Sequence, residues 1–312
     1  MIFRIDKSIM TQGQSVIQDF ARGLTVAADN QHAVQLPVQV WEWVEKEILQ
    51  TDVYLGKLMR EQLVSSSELW NPTKMLLTHE TTVDIGYVGN MLTVRDMLRL
   101  MEEPGWIVLE NGRYDGTVIE KWVRLYRKEK GLGTINAEVY RAMAQSRLRV
   151  YNSGGGNMSI ANAIDTLMRA IGYLYPYRVT TIFDSDKRSA TDTTDHNQKL
   201  KEYLTHHRIT GHELRKREIE NYFAVDTYKR AGFLKDERQA RAMTAEEWDF
   251  HDIGKSNIIR KTDNTGKETA IEKKDVETLS YLLTKEELKE RVLISSGDDE
   301  IQSIILQLAK FI

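Results

Sequence analysis

The chain has 312 residues, 41% hydrophobic and 29% charged, which gives a real core and excludes a disordered protein. It has no cysteine, which excludes disulfides and thiolate zinc sites and suits a reducing cytoplasm. The formal net charge of −3 lacks the basic excess that phosphate neutralisation asks of a nucleic-acid binder, so any such role rests on local placement of Lys and Arg. The first ten residues carry Arg4, Asp6 and Lys7 and lack the apolar run of a signal peptide. No stretch approaches the roughly 18 apolar residues of a membrane span. The expected location is the cytoplasm, without membrane association.

Residues 1–104 read as a mainly helical region. Val40 to Val64 carries Trp41, Val44, Ile48, Leu55, Leu58 and Leu63 at rough helical spacing, with Trp41 and Trp43 as core anchors. Trp70-Asn-Pro72 ends that pattern, because proline disfavours helix at the preceding residue. Met75 to His79 reads as a strand, and Thr93 to Met101 as a helix that stops before Pro104-Gly105.

Residues 105–234 change character. Trp106-Ile-Val-Leu-Glu110 is an apolar run ending in an acid, followed by Asn111-Gly112. A helix follows from about Gly116, with Val118, Trp122 and Leu125 on its apolar face. Asp115 lies near its start and Arg127, Lys128 and Lys130 near its end, matching the helix dipole. A second strand, Leu148 to Tyr151, leads into Ser153-Gly-Gly-Gly156. The next helix aligns Ile160, Ile164, Leu167 and Ile171, and a third strand, Arg178 to Phe183, ends in Asp184-Ser-Asp186. Strand and helix in alternation predict an α/β fold with a mostly parallel sheet flanked by helices. Ser189 to Asp195 reads as a loop. Residues 235–312 form a charged helical region, with Lys273 to Arg291 expected to be largely solvated. Ile301, Ile304, Ile305, Leu308 and Ile312 share a face there that packs on its own domain.

In an open parallel sheet, ligands bind beyond the carboxyl ends of the strands. Glu110, Asp184 and Asp186 fall at such ends. Two aspartates separated by one residue project to the same side of an extended segment. Together they suit a hard divalent cation held through oxygen. Unpaired carboxylates in a cluster repel, so a cation is their natural partner. Gly154, Gly155 and Gly156 permit positive φ and close approach of a phosphate or of another backbone. No Gly-Lys-Ser/Thr follows them, so they do not form a Walker loop. In Arg215-Lys-Arg-Glu-Ile-Glu-Asn-Tyr-Phe223, Glu218 and Glu220 alternate around Ile219. Arg215 and Arg217, with Lys187 and Arg188, supply local positive charge that would position a phosphate backbone.

These motifs together resemble the Toprim domain of the OLD family of nucleases, in particular a branch of small proteins found beside ABC-type ATPases in phage-defence loci. The resemblance covers roughly residues 105–225. Its elements are Val108-Leu-Glu110-Asn-Gly-Arg-Tyr-Asp115, Asn152-Ser-Gly-Gly-Gly-Asn157, Ile182-Phe-Asp184-Ser-Asp186 and Glu218-Ile-Glu220-Asn-Tyr-Phe223. Glu110 is followed by Asn where the family has Gly, and Asp115 falls one residue later than the family spacing. The resemblance implies a Toprim-like, Rossmann-like domain hydrolysing phosphodiester bonds in DNA or RNA, tRNA included, as an anti-phage effector controlled by an ATPase partner. A homodimer stays open. It implies two Mg²⁺ or Mn²⁺ ions: Asp184 and Asp186 as ligands, Glu110 sharing a metal or acting as general base, and Glu218 or Glu220 completing a second site. Lys255, in Asp252-Ile-Gly-Lys-Ser256, is the candidate for stabilising developing charge. Two other readings stand beside it. One is a haloacid-dehalogenase-like phosphatase, which also uses Asp-x-Asp at a strand end. The other is a non-catalytic subunit that senses a nucleotide or metal.

Overall fold

A computed structural model describes residues 1–29, 32–49, 82–129, 131–155, 157–262, 266–296 and 299–312. The helical stripe beyond residue 49, the break at Trp70 to Pro72, the strand at Met75 to His79 and Gly156 lie outside the described residues. The chain divides into two compact units, Met1–Gly105 with Lys310–Ile312, and Trp106–Ala309.

In the first unit, β1 (Ile2–Ile5) runs parallel to both β2 (Ala33–Gln35) and β3 (Thr82–Ile85), in the order β2-β1-β3. Three helices are described with it: α1 (Gln14–Asp29), α2 (Val38–Val44) and α3 (Val94–Glu102). Among the described residues of this unit most are helical; the parallel sheet between them was not expected. Its strands are only three or four residues long, too short for a periodic pattern. Thr93 starts α3 as predicted: its hydroxyl accepts Asp96 N–H at 3.2 Å, while the Asp96 carboxylate accepts Thr93 N–H at 2.9 Å. Trp43 packs against Phe20 with ring centroids 6.4 Å apart, the anchoring role expected of it.

The second unit holds a four-stranded sheet of β4 (Gly105–Leu109), β5 (Leu148–Asn152), β6 (Val179–Phe183) and β7 (Thr210–Glu213), in the order β5-β4-β6-β7. β4, β6 and β7 are mutually parallel, with Val108 opposite Thr181 and Phe183 opposite Glu213. The central strand β6, Val-Thr-Thr-Ile-Phe, is buried throughout. Its two threonines are tolerated there because Thr181 Oγ1 donates to Val108 O at 2.8 Å and Thr180 Oγ1 to Thr210 O at 2.9 Å. β7 itself was not anticipated, since Thr-Gly-His-Glu carries no apolar alternation.

Helices α4 (Tyr114–Tyr126), α5 (Gly133–Ala144), α6 (Asn157–Ile171) and α7 (Asp195–His206) follow the strands. α4 buries Val118, Ile119, Trp122, Val123 and Tyr126, a broad stripe in which each large apolar side chain contributes about 1.5–3 kcal/mol. The loop before α4 passes so close to β5 that a Cβ on Gly112 would stand 2.8 Å from Asn152 Cα, which explains the glycine there.

The C-terminal residues belong to this same unit up to Ala309. They include the short helices α8 (Val225–Arg230), α9 (Glu237–Ala242) and α10 (Ala245–Asp249), and the antiparallel pair β8 (Lys261–Thr262) and β9 (Glu268–Thr269). Helices α11 (Asp275–Leu282), α12 (Lys285–Ser296) and α13 (Glu300–Ala309) complete it. The solvated helix expected over Lys273 to Arg291 is instead two helices that bury Val276, Leu279, Leu288, Val292 and Arg291. α13 buries Ile301, Ile304, Ile305 and Leu308 against its own unit; Ile312 falls in the other.

Candidate metal centre

Because β4 and β6 are adjacent and parallel, the residues that follow them emerge at one edge of the sheet. Glu110 follows β4 directly, and Asp184 follows β6. A cavity of about 530 Å³ opens there, lined among others by Glu110, Asp184, Asp186, Glu218, Glu220 and Lys273, with Gly155 and His196. The predicted acids thus converge.

Asp186 arrives by a different route from the one the sequence suggested. β6 stops at Phe183, and Asp186 has φ = +54°, so the segment is not extended and period-two geometry does not align the pair. The turn is held by Ser185, whose hydroxyl donates to Lys216 O at 2.8 Å, and by Asp186 N–H donating to Arg217 O at 2.9 Å. Asp186 Oδ2 then lies 3.0 Å from His196 Nε2 at the start of α7.

Glu218 and Glu220 come from the 3₁₀ turn Ile219–Tyr222 and the residue before it. Asp184 ties this turn to the sheet: its Oδ1 accepts Ile219 N–H at 2.9 Å. Glu220 is buried, and Lys273 Nζ lies 2.8 Å from its Oε1 and 3.9 Å from Asp184 Oδ2. Asp115, in the first turn of α4, is also buried, with Oδ2 accepting Asn111 N–H at 3.1 Å.

Burial and mutual repulsion shape the charges. Asp184 is pushed well above the usual carboxylate range by burial, with Glu220, Asp115 and Glu218 adding repulsion against the opposing pull of Lys273. Asp115 is raised to about 6, by burial first; Lys273 pulls it down, while Glu220 and Glu110 add to the rise. Glu218 is raised to about 7, by burial and then by Glu220, against Lys273 and Arg217. Burial alone would lower Lys273, but Glu220, Asp184 and Asp115 outweigh it and hold the ammonium above its ordinary value.

Several predicted residues stand elsewhere. Lys255 does not reach the acids: its side chain is 85% exposed, pairs with Asp252 at 3.1 Å, and lines a second cavity of about 740 Å³. Lys187 is paired with Glu213 at 3.2 Å, and Arg217 with Glu218 at 3.3 Å and Asp252 at 3.2 Å, so neither presents an open phosphate-binding face. Arg188 and Arg215 are exposed. Gly154 and Gly155 adopt φ of +94° and +106°, and Gly155 N–H donates to Glu110 O at 3.1 Å, joining the glycine turn to the first acid.

Lys273, His196 and the coupling of Asp115 escaped the sequence reading. Lys273 lies in Glu-Lys-Lys-Asp275, four charges in a row that read as a solvated surface.

The donor set fits a hard divalent cation. Glu220 Oε2 and Asp115 Oδ1 are buried without a hydrogen-bond partner, a state that a cation would relieve. Among the described residues no three Asp, Glu or His side chains stand grouped tightly enough to hold an ion as they are. The Lys273 ammonium is already among them. No helix among the described residues is long and apolar enough to cross a membrane. No protein-family model, curated protein or solved structure matches the chain.

Proposed function

We propose that the second unit is a metal-dependent nuclease that hydrolyses phosphodiester bonds in DNA or RNA. The observation that carries this reading is the convergence of Glu110, Asp184, Asp186, Glu218 and Glu220 on one cavity, with a buried carboxylate oxygen of Glu220 left without a partner. Asp184, Asp186 and Glu110 would hold Mg²⁺ or Mn²⁺, with Glu218 or Glu220 beside them. When bound, such an ion polarises a phosphoryl oxygen and lowers the pKa of an attacking water.

The chain's own groups supply the rest. Glu218, raised to about 7, is poised to take or give a proton near neutral pH. Arg188 and Arg215, both exposed, would help to position a phosphate backbone. Control by an ATPase partner in phage defence belongs to the same proposal and rests on the sequence resemblance alone.

The test is incubation of the purified protein with Mn²⁺ or Mg²⁺ against plasmid DNA and bulk tRNA, with and without the products of neighbouring genes. Metal-dependent cleavage that Glu110→Ala and Asp184→Ala each abolish is the expected result. Turnover of a small phosphate ester without polynucleotide cleavage would replace it with the phosphatase reading. Metal or nucleotide binding without turnover under every condition would leave the sensing subunit.

A further inference from the structure

We propose that Lys273 is a built-in second cation of this centre, so that the site takes one divalent ion rather than two. The inference rests on the metal-dependent reading above and concerns the number of ions that reading requires.

Two-ion sites need carboxylates enough to neutralise both charges and to bridge them. Here Glu220, one of the two acids proposed to complete a second ion's shell, already has Lys273 Nζ 2.8 Å from its Oε1. The same ammonium lies 3.9 Å from Asp184 Oδ2. It therefore stands between acids contributed by two elements, the end of β6 and the 3₁₀ turn, which is a position a bridging cation would take. A second divalent ion brought to Glu220 would meet a positive charge already within hydrogen-bonding distance of its ligand. Glu220 Oε2 stays buried without a partner, and Glu110, Asp186 and Glu218 line the same cavity. We assign these remaining donors to one ion.

The backbone that carries Lys273 is held by its neighbours. It sits in a turn closed by Asp275, whose Oδ2 accepts Glu272 N–H at 2.8 Å. Lys261, from β8, donates to both Asp275 oxygens at 3.1 and 2.9 Å. Asp275 N–H in turn donates to Glu272 O at 2.8 Å. That frame narrows where the four-carbon stem of Lys273, whose side chain is 38% exposed, can place its ammonium.

Counting bound Mn²⁺ per chain tests this directly, by electron paramagnetic resonance of the free ion during titration and by calorimetry. The full chain is expected to bind one ion, and so is Lys273→Arg, which keeps the charge. Lys273→Met is expected to bind two, with thermal melting showing that it remains folded. Two ions in the unaltered chain would overturn the inference while leaving the metal-dependent reading intact, as would a single ion in folded Lys273→Met. No bound ion in any of the three proteins would overturn the metal reading itself, and this inference with it. One ion in the unaltered chain and two in Lys273→Met, with no polynucleotide cleaved, would support the inference and sink the nuclease assignment alone.

Discussion

The second unit buries two clusters of charge, and they are built in opposite ways. Around Asp249, every charge is answered: Lys216 Nζ lies 2.5 Å from its Oδ1, Arg291 pairs with the same carboxylate, and Arg291 also donates to Asn221 O at 3.0 Å. Burial lowers Lys216 to about 8, with Arg291 adding to the fall and Asp249 opposing it. Around Lys273 the balance tips the other way. Asp115, Asp184, Glu218 and Glu220 share one ammonium, and two of their buried oxygens have no partner. A buried ion that is fully paired holds the fold in register; a buried set left in excess carries a cost that the fold alone does not relieve. That excess is the feature on which the proposed metal site rests.

Activity separates the two clusters most directly. Glu110→Ala and Asp184→Ala should each lower metal-dependent cleavage by on the order of 10³-fold or more, in proteins whose circular dichroism and melting remain native. Next comes stability at the satisfied cluster. Asp249→Ala leaves Lys216 and Arg291 buried against each other and should cost about 3–5 kcal/mol, read by urea unfolding. A loss below 1 kcal/mol would show that this cluster is not the structural one.

Glu218→Gln should do the reverse in the metal-free protein. Below the ordinary carboxylate range Glu218 is protonated in both folded and unfolded chains, so it costs nothing. As pH rises from about 4.5 to 7 the unfolded chain ionises first, and folding stability falls. The variant should therefore be more stable than the parent at pH 8, by up to about 3 kcal/mol, with the gain gone near pH 4. A denaturation series across that range in chelator decides it. The smallest effect belongs to Lys255→Ala, which should leave cleavage unchanged and stability within about 0.5 kcal/mol. A strong loss of cleavage there would restore Lys255 to the charge-stabilising role.

Much of this fold was legible because its signals are local. Glu110 and Asp184 follow short apolar runs, and such runs end at the edge of a parallel sheet wherever strand and helix alternate. The stripes of α4, α6 and α13 were equally readable, since each is a single helix whose period reports its buried face. β7 and the small sheet of the first unit were not, because three or four residues carry no period. The Asp-Ser-Asp motif reaches the cavity through a geometry other than the extended one expected: the strand ends before it, and hydrogen bonds donated to the Lys216 and Arg217 carbonyls hold the turn that carries Asp186.

The choice of lysine shows where the sequence stops. Lys255 and Lys273 both sit in charged, polar stretches, and nothing in their neighbours along the chain separates them. By itself the sequence determined a cysteine-free α/β chain with acids at the ends of two strands. Only the tertiary structure decided which lysine meets those acids. That depends on a strand pair and an Asp275-closed turn folding back over the sheet edge, a contact made across about 90 residues of chain between Lys273 and Asp184. Electrostatic partners are set by distance in space, and a run of charges records only distance along the chain.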